Sequence, residues 1–200
     1  MEIIAPTAEG IDAAANALRV GKVVAYPTET VYGLGVDPFS EEALRALYSV
    51  KGRERGNPVL LIVSGLKQLE GIVPELSPRA AAYAEAFWPG PLSMLLPCSR
   101  DLPEALSLDT SRVCVRWTSC EIAASLCEAF GGAIVSTSAN LAGEAPATSP
   151  AEIDLVGISL CLDGGRLEES APSTVLDPQT GEVIREGAIA REELAKIRVH

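Results

Sequence analysis

Strand-length apolar runs alternate with amphipathic segments along the whole chain, and glycine or proline punctuates nearly every junction. With 17 glycines and 14 prolines gathered at turns, the pattern predicts many short elements and no long helices. Strands are expected over 2–5, 22–26, 59–63, 92–96, 112–117, 133–136, 158–162, 173–177 and 182–185, the last two joined by a P-Q-T-G turn. Helices are expected over 8–20, 40–50, 78–88, 119–130 and 191–198. Over 40–50, Ser40 caps, Glu41 and Glu42 suit the positive end of the dipole, and Ala43, Leu44, Leu47 and Tyr48 form the buried stripe. Gly21, W-P-G-P at 88–91, and Gly131 with Gly132 stop three of these helices. Strands and helices mixed at this spacing imply an α/β fold: a sheet partly parallel and partly antiparallel, with helices against it. A length of 200 residues predicts a single domain over 1–200.

Charge and residue counts narrow the chemistry. The chain holds 27 acids against 16 bases, a formal net charge of −11, and its one histidine is the terminal His200. A Ser–His–Asp or Cys–His arrangement needs a held imidazole, and a histidine-ligated zinc needs several; both are excluded. Chemistry here has to run on carboxylates, hydroxyls, Lys, Arg, backbone amides or the substrate's own groups. The five cysteines are odd in number and include no C-x-x-C pair, which predicts reduced thiols and neither a disulfide framework nor a zinc site. No run approaches the ~20 apolar residues of a membrane span, and residues 1–10 lack the basic and apolar regions of a signal peptide. A cytoplasmic protein without a membrane partner is expected. The acidic balance opposes broad affinity for phosphate backbones.

Four segments carry more polar punctuation than a core needs. P-T-E-T-V-Y-G-L-G at 27–35 runs from a strand into hydroxyls and then Gly33 and Gly35, which let a ligand approach the backbone; a plain turn with locally bonded Thr side chains is the alternative. K-G-R-E-R-G-N-P at 51–58 sets three cations on a glycine-loosened loop, suited to a polyphosphate or simply to a helix C-terminus. It lacks the G-K-[ST] of a Walker loop. S-T-S-A-N at 136–140 lies in a stretch, 117–165, without any Lys or Arg, so its hydroxyls and amide either cap a turn or hold a carboxylate, phosphate or ribose. Arg116 and Arg185 end apolar strands and need partners, an internal carboxylate or an anionic substrate. Together these segments predict a polar, locally basic crevice beyond strand ends that binds a phosphorylated small molecule.

The ordered set P-T-E-T-V-Y-G-L-G, K-G-R…N-P, W-P-G-P, V-x-V-R, S-T-S-A-N-L-x-G, P-S-T-V-L-D and R-E-G resembles the YrdC-like family, the L-threonylcarbamoyladenylate synthases, from about residue 22 to 187. The ending at His200 is similar to the short bacterial form. The resemblance implies a twisted mixed sheet around a concave site. It also implies an enzyme that makes threonylcarbamoyl-AMP and pyrophosphate from L-threonine, bicarbonate and ATP, with Mg2+ accompanying ATP. The product would pass to threonylcarbamoyl-transfer proteins that modify tRNA, with direct tRNA binding weak at most. By motif position, Lys51 and Arg53 handle the ATP phosphates and are the catalytic pair. Ser138, Asn140 and Arg185 contact the nucleotide, and Thr28, Arg116, Ser136 and Ser173 contact threonine. No residue is implied as a metal ligand. Two departures stand out: the strand at 59–63 lacks the histidine many members carry, and L-A-G-E-A-P-A-T-S-P after Asn140 replaces a common Ser-Pro-Thr pattern, so Pro146 and Thr148 are not included. Two rival readings remain at this point, an RNA-binding module in RNA or ribosome maturation and an ATP-dependent enzyme acting on another small amino acid.

Overall fold

The computed structural model describes residues 1–52, 59–99, 102, 103, 106 and 111–197. Among these residues ten strands form one sheet: β1 (Glu2–Ile4), β2 (Val23–Pro27), β3 (Tyr32–Gly35), β4 (Leu60–Val63), β5 (Leu92–Pro97), β6 (Arg112–Trp117), β7 (Ile134–Ser138), β8 (Ile158–Leu162), β9 (Thr174–Asp177) and β10 (Glu182–Arg185). Their order is β1-β8-β2-β3-β7-β4-β6-β5-β9-β10. β8 lies parallel to β1 and β2, β4 to β6, and β5 to β9; the remaining neighbours are antiparallel. The mixed sheet read from the sequence is thus present.

Among the described residues five α-helices, each described end to end, accompany it: α1 (Ala8–Arg19), α2 (Glu41–Val50), α3 (Pro78–Phe87), α4 (Glu121–Phe130) and α5 (Arg191–Leu194). Three start where an oxygen-bearing side chain can cap. Thr7 accepts from the Gly10 amide, Ser40 from Ala43 and Ser77 from Ala80. Gly131 ends α4 at φ 92°, a left-handed cap open to glycine.

Three expectations shift. Residues 32–35, read as a loop, are β3, antiparallel to β2 through Tyr26↔Gly33 and Pro27↔Tyr32, so the hydroxyl-rich turn is a tight hairpin over 28–31. β7 runs on to Ser138, two residues past the expected end at Ser136, so Ser136 lies mid-strand. The C-terminal helix stops at Leu194, after a single turn.

The two faces of the sheet bury different sets. Ala25, Leu34, Leu61, Val115, Val135 and Leu176 pack with α2 and α3 on one side. On the other, α1 and α4 cover Val24, Tyr26, Ile62, Ile134, Leu160 and Leu162. The helical cover on this second side rests on β8, β2 and β4. Past it, the same face continues across β7, β4, β6, β5 and β9 with small, polar or half-exposed residues.

Candidate functional site

Side-chain alternation places Ser136, Leu60, Cys114 and Leu95 in one row across β7, β4, β6 and β5, since Leu60 pairs with Ser136 and Cys114, and Cys114 with Leu95. Ile62 pairs with Arg116, and Ser93 with Val175, in the next row. Leu60, Cys114, Leu95 and Val175 are only partly buried, unlike the sealed residues of the opposite face. This is a shallow apolar floor with polar groups at its borders, the usual composition of a small-molecule site.

At the β7 border three of the five sequence-predicted nucleotide residues, Lys51, Ser138 and Asn140, meet, while Arg185 lies at the opposite border beside Ser173. The Lys51 side chain, at the end of α2, donates to the Ser138 carbonyl at 2.5 Å, the Asn140 carbonyl at 2.6 Å and Asn140 Oδ1 at 3.0 Å. Ser138 Oγ donates to Asn140 Oδ1 at 2.5 Å, and Asn140 Nδ2 to the Glu144 carbonyl at 2.6 Å. Lys51 is buried, so its ammonium is fixed by these carbonyl dipoles. Gly52, at φ 59°, then turns the chain away from α2. Arg53 and Arg55 lie outside the described residues.

The floor is shaped by Tyr26. Its ring, fully buried, lies over Gly33 and Gly35, where a Cβ would fall 3.4 Å and 2.7 Å from the ring. Its hydroxyl reaches the Val135 carbonyl at 3.4 Å and the Ser136 side chain. Burial drives the phenol far above its ordinary pKa, so it stays a donor. Gly35 is therefore required for close packing, Gly33 leaves only a tight fit, and the left-handed region is not involved at either.

The hairpin over 28–31 contributes Thr28 and Glu29. Thr28 Oγ1 donates to the Val31 carbonyl at 2.7 Å and accepts from the Thr30 amide at 3.2 Å, the local turn bonding expected of threonine here. Glu29 reaches β6: its Oε2 accepts from Thr118 Oγ1 at 2.6 Å, and its Oε1 lies 3.2 Å from Arg116 Nε. That distance is an ion-pair distance, yet neither atom makes an aligned hydrogen bond. Both side chains are nearly sealed, at 4% exposed for Arg116 and 12% for Glu29.

The far border is built by β9 and β10. Ser93 Oγ donates to Ser173 Oγ at 2.9 Å, and Arg185 Nη2 donates to the Ser173 carbonyl at 2.9 Å and hydroxyl at 3.2 Å. Burial pushes the Cys114 thiol up to about 11, against the opposing pull of the Arg116 and Arg185 charges. The segment 163–172 crosses from β8 toward β9 and touches the hairpin, where Ser170 Oγ donates to the Thr30 carbonyl at 3.1 Å.

The described candidates thus border one sheet face: Lys51, Ser138 and Asn140 at one end, Ser136 on the floor, Thr28 and Arg116 at the hairpin, Ser173 and Arg185 at the other end. A profile for the Sua5/YciO/YrdC family, described as telomere recombination, matches residues 16–187. The chain belongs to this family. It is 41% identical over 175 residues to a threonylcarbamoyl-AMP synthase of Methylococcus capsulatus, covering 86% of this chain and 94% of that one. It is 42% identical over 170 residues to the Thiobacillus denitrificans synthase, covering 84% and 90%. Among solved structures, Pyrococcus abyssi Sua5 complexed with L-threonine superposes with a TM-score of 0.89 at 35% identity, over 98% of this chain and 59% of that one. Escherichia coli YciO superposes with 0.85 at 27% identity, over 96% and 98%.

In this Sua5/YciO/YrdC chain, sequence reasoning passed over Glu29, Tyr26, Ser93 and Thr118. Glu29 had a readable signal: it is the one carboxylate of P-T-E-T-V-Y-G-L-G, and a carboxylate at a strand end beside apolar runs needs a cation. Ser93 lies within β5 and Thr118 just past the end of β6, both in ordinary sequence contexts, and only the register brings them to the site.

Proposed function

We propose that this chain, acting as one domain over 1–200, is a threonylcarbamoyl-AMP synthase that uses L-threonine, bicarbonate and ATP. The single observation carrying this reading is Lys51, locked by Ser138 and Asn140 beside the floor that also bears Arg116. A fixed cation at one end and a second, 4% exposed, in the middle suit two anions brought together.

The threonine amine attacks bicarbonate; water leaves and a carbamate forms. A carbamate oxygen then attacks the α-phosphorus of ATP, and pyrophosphate departs. Neither step needs a protein nucleophile. Both need anions held in line against their repulsion, so positioning and charge stabilisation supply the acceleration. In this reading Lys51 and Arg53 take the phosphates, Ser138, Asn140 and Arg185 the nucleotide, and Thr28, Arg116, Ser136 and Ser173 the amino acid. The relatives that carry the synthase name, and the Sua5 structure that holds L-threonine, support the assignment.

Among the described residues no three His, Cys, Asp or Glu gather as a metal site. Mg2+ would be held chiefly by the ATP phosphates, whose charge it would neutralise, and Ser138 Oγ and Asn140 Oδ1 are the neutral side-chain oxygens that could assist in holding it. No described helix is long and apolar enough to cross a membrane, and we place the activity in the cytoplasm. The labile adenylate would be handed to threonylcarbamoyl-transfer proteins acting on tRNA. An RNA-binding role finds less support: Lys51, the described cation of its cluster, is buried against carbonyls and not displayed to a phosphate backbone.

The test is turnover of folded protein with ATP, bicarbonate and labelled threonine. Threonine-dependent release of pyrophosphate together with labelled adenylate is expected. ATP turnover driven equally by serine would overturn threonine as the substrate, and no amino-acid-dependent turnover would overturn the synthase.

A further inference from the structure

We propose that Glu29 is the specificity-determining residue of the Arg116 site: its carboxylate balances the guanidinium, so the site takes the carboxylate of a zwitterionic amino acid and turns away an acid that lacks the ammonium group. This rests on reading Arg116 as an amino-acid contact.

Three observations carry it. First, the pair is built. Glu29 leaves a hairpin closed by Thr28 N–H to the Val31 carbonyl at 3.1 Å, and its Oε2 is held by Thr118 Oγ1 at 2.6 Å. Thr118 is itself pinned, its amide donating to the Val63 carbonyl at 3.1 Å and its Oγ1 accepting from the Cys120 amide at 3.2 Å. Second, the pair is nearly sealed from solvent, at 4% and 12%, so its two charges cancel locally and are poorly screened by water. Third, Glu29 meets the guanidinium at Nε, at 3.2 Å and out of hydrogen-bond alignment. A purely structural Arg–carboxylate pair favours the two-pronged fork. Here the carboxylate balances charge without a forked bond.

The physical consequence follows from charge bookkeeping at the site. A net anion approaching a balanced pair loses its hydration and gains no net attraction. A zwitterion sets its carboxylate against Arg116 and its ammonium toward Glu29, and gains twice. Rejection of the wrong ligand is thus built in as an unfavourable charge.

The experiment compares threonine with 3-hydroxybutyrate, which keeps the carboxylate, hydroxyl and methyl groups and lacks the amine. The readout is the ratio of the threonine KM to the 3-hydroxybutyrate inhibition constant, with the ATP KM and melting temperature recorded for each variant. Glu29→Gln keeps the Thr118 hydrogen bond and removes the charge, and is expected to raise the ratio by roughly tenfold or more, with the ATP KM unchanged. Thr118→Val removes the strut and keeps the charge, and is expected to leave the ratio within about threefold of wild type. A Glu29→Gln ratio equal to wild type overturns the inference, as does a Thr118→Val ratio that moves as far as that of Glu29→Gln. Should Glu29→Gln fail to fold, Glu29→Asp carries the test: with the charge retained the ratio must stay near wild type, and a tenfold rise overturns the inference. Arg116→Ala separates the two levels. An unchanged threonine KM there overturns the amino-acid role of Arg116; a raised one, with a flat Glu29→Gln ratio, overturns the role of Glu29 alone.

Discussion

Lys51 and Asn140 are joined twice, through the Asn140 carbonyl at 2.6 Å and its side-chain oxygen at 3.0 Å. The contact ties the end of α2 to the end of β7, two places far apart in the chain, and holds the ammonium at the β7 border of the floor. Losing one preorganised charge contact commonly costs about 3 kcal/mol, or ~10² in rate. Lys51→Ala and Arg53→Ala are each expected to lower kcat/KM by roughly that factor, while Arg55→Ala is expected to stay within about threefold of wild type. Steady-state pyrophosphate release checks this, and equal losses in all three variants would refute the phosphate roles.

Gly33 and Gly35 separate packing from chemistry. A Cβ at Gly35 would lie 2.7 Å from the Tyr26 ring and 3.2 Å from the Val135 carbonyl, and neither can yield in a sealed core. Gly35→Ala is expected to cost about 1–3 kcal/mol, lowering Tm by about 2–4 °C for each kcal/mol. A Cβ at Gly33 would meet Ser136 Oγ at 3.2 Å, and that small hydroxyl can rotate. Gly33→Ala is expected to shift Tm by less than about 2 °C while raising the threonine KM several-fold. Calorimetry and steady-state kinetics on the two variants check the split, and the reverse pattern would remove Ser136 from the amino-acid contact.

The fold was legible where physics is local. Ser40 with two acids, Pro27, and Gly131 after an apolar stripe mark boundaries that the structure reproduces to within a residue or two. The candidate site comes from ordered motifs, and those of its residues that are described border one face. What could not be read is what depends on register. β3 is only four residues, Y-G-L-G, and two glycines disguise a strand; it forms because Tyr26 of β2 supplies the side-chain volume that Gly33 and Gly35 lack. Glu29 was hidden for a related reason. Its partners Arg116 and Thr118 are almost ninety residues away and meet it only once β6 is placed beside β4.

Glu152 anchors the segment that borders the hairpin. Its carboxylate accepts from the Thr148 amide at 2.8 Å and pairs with Arg166 at 2.8 Å. The Thr148 amide hydrogen bond, followed by the Arg166 and Thr148 side chains, lowers its pKa to about 2. A carboxyl depressed in the folded state stabilises above its unfolded value, near 4.5, and loses that contribution as pH falls toward about 2. Glu152→Gln is therefore expected to lower Tm slightly at pH 7, by less at high salt because the pair is exposed, and to match wild type as pH falls toward the folded value. Thermal melts across pH check this. A deficit that persists undiminished at the acid end would show that the side chain acts by shape and not by charge.

Cys114 reports directly on the floor. It sits between Leu60 and Leu95 in register, partly open, with its thiol pushed up to about 11 by burial against the opposing pull of Arg116 and Arg185. At pH 7 the reactive thiolate is then a fraction on the order of 10⁻⁴, so alkylation by iodoacetamide is expected to be slow, rising roughly tenfold for each pH unit between 7 and 9. Site-resolved mass spectrometry reads this against Cys98, which is also partly exposed but lies after β5. Saturating ATP and threonine are expected to protect Cys114 by about tenfold or more and leave Cys98 unchanged, because ligands on the floor remove the first thiol from solvent and do not touch the second. Unprotected labelling of Cys114 under turnover conditions would move the substrates off this face of the sheet.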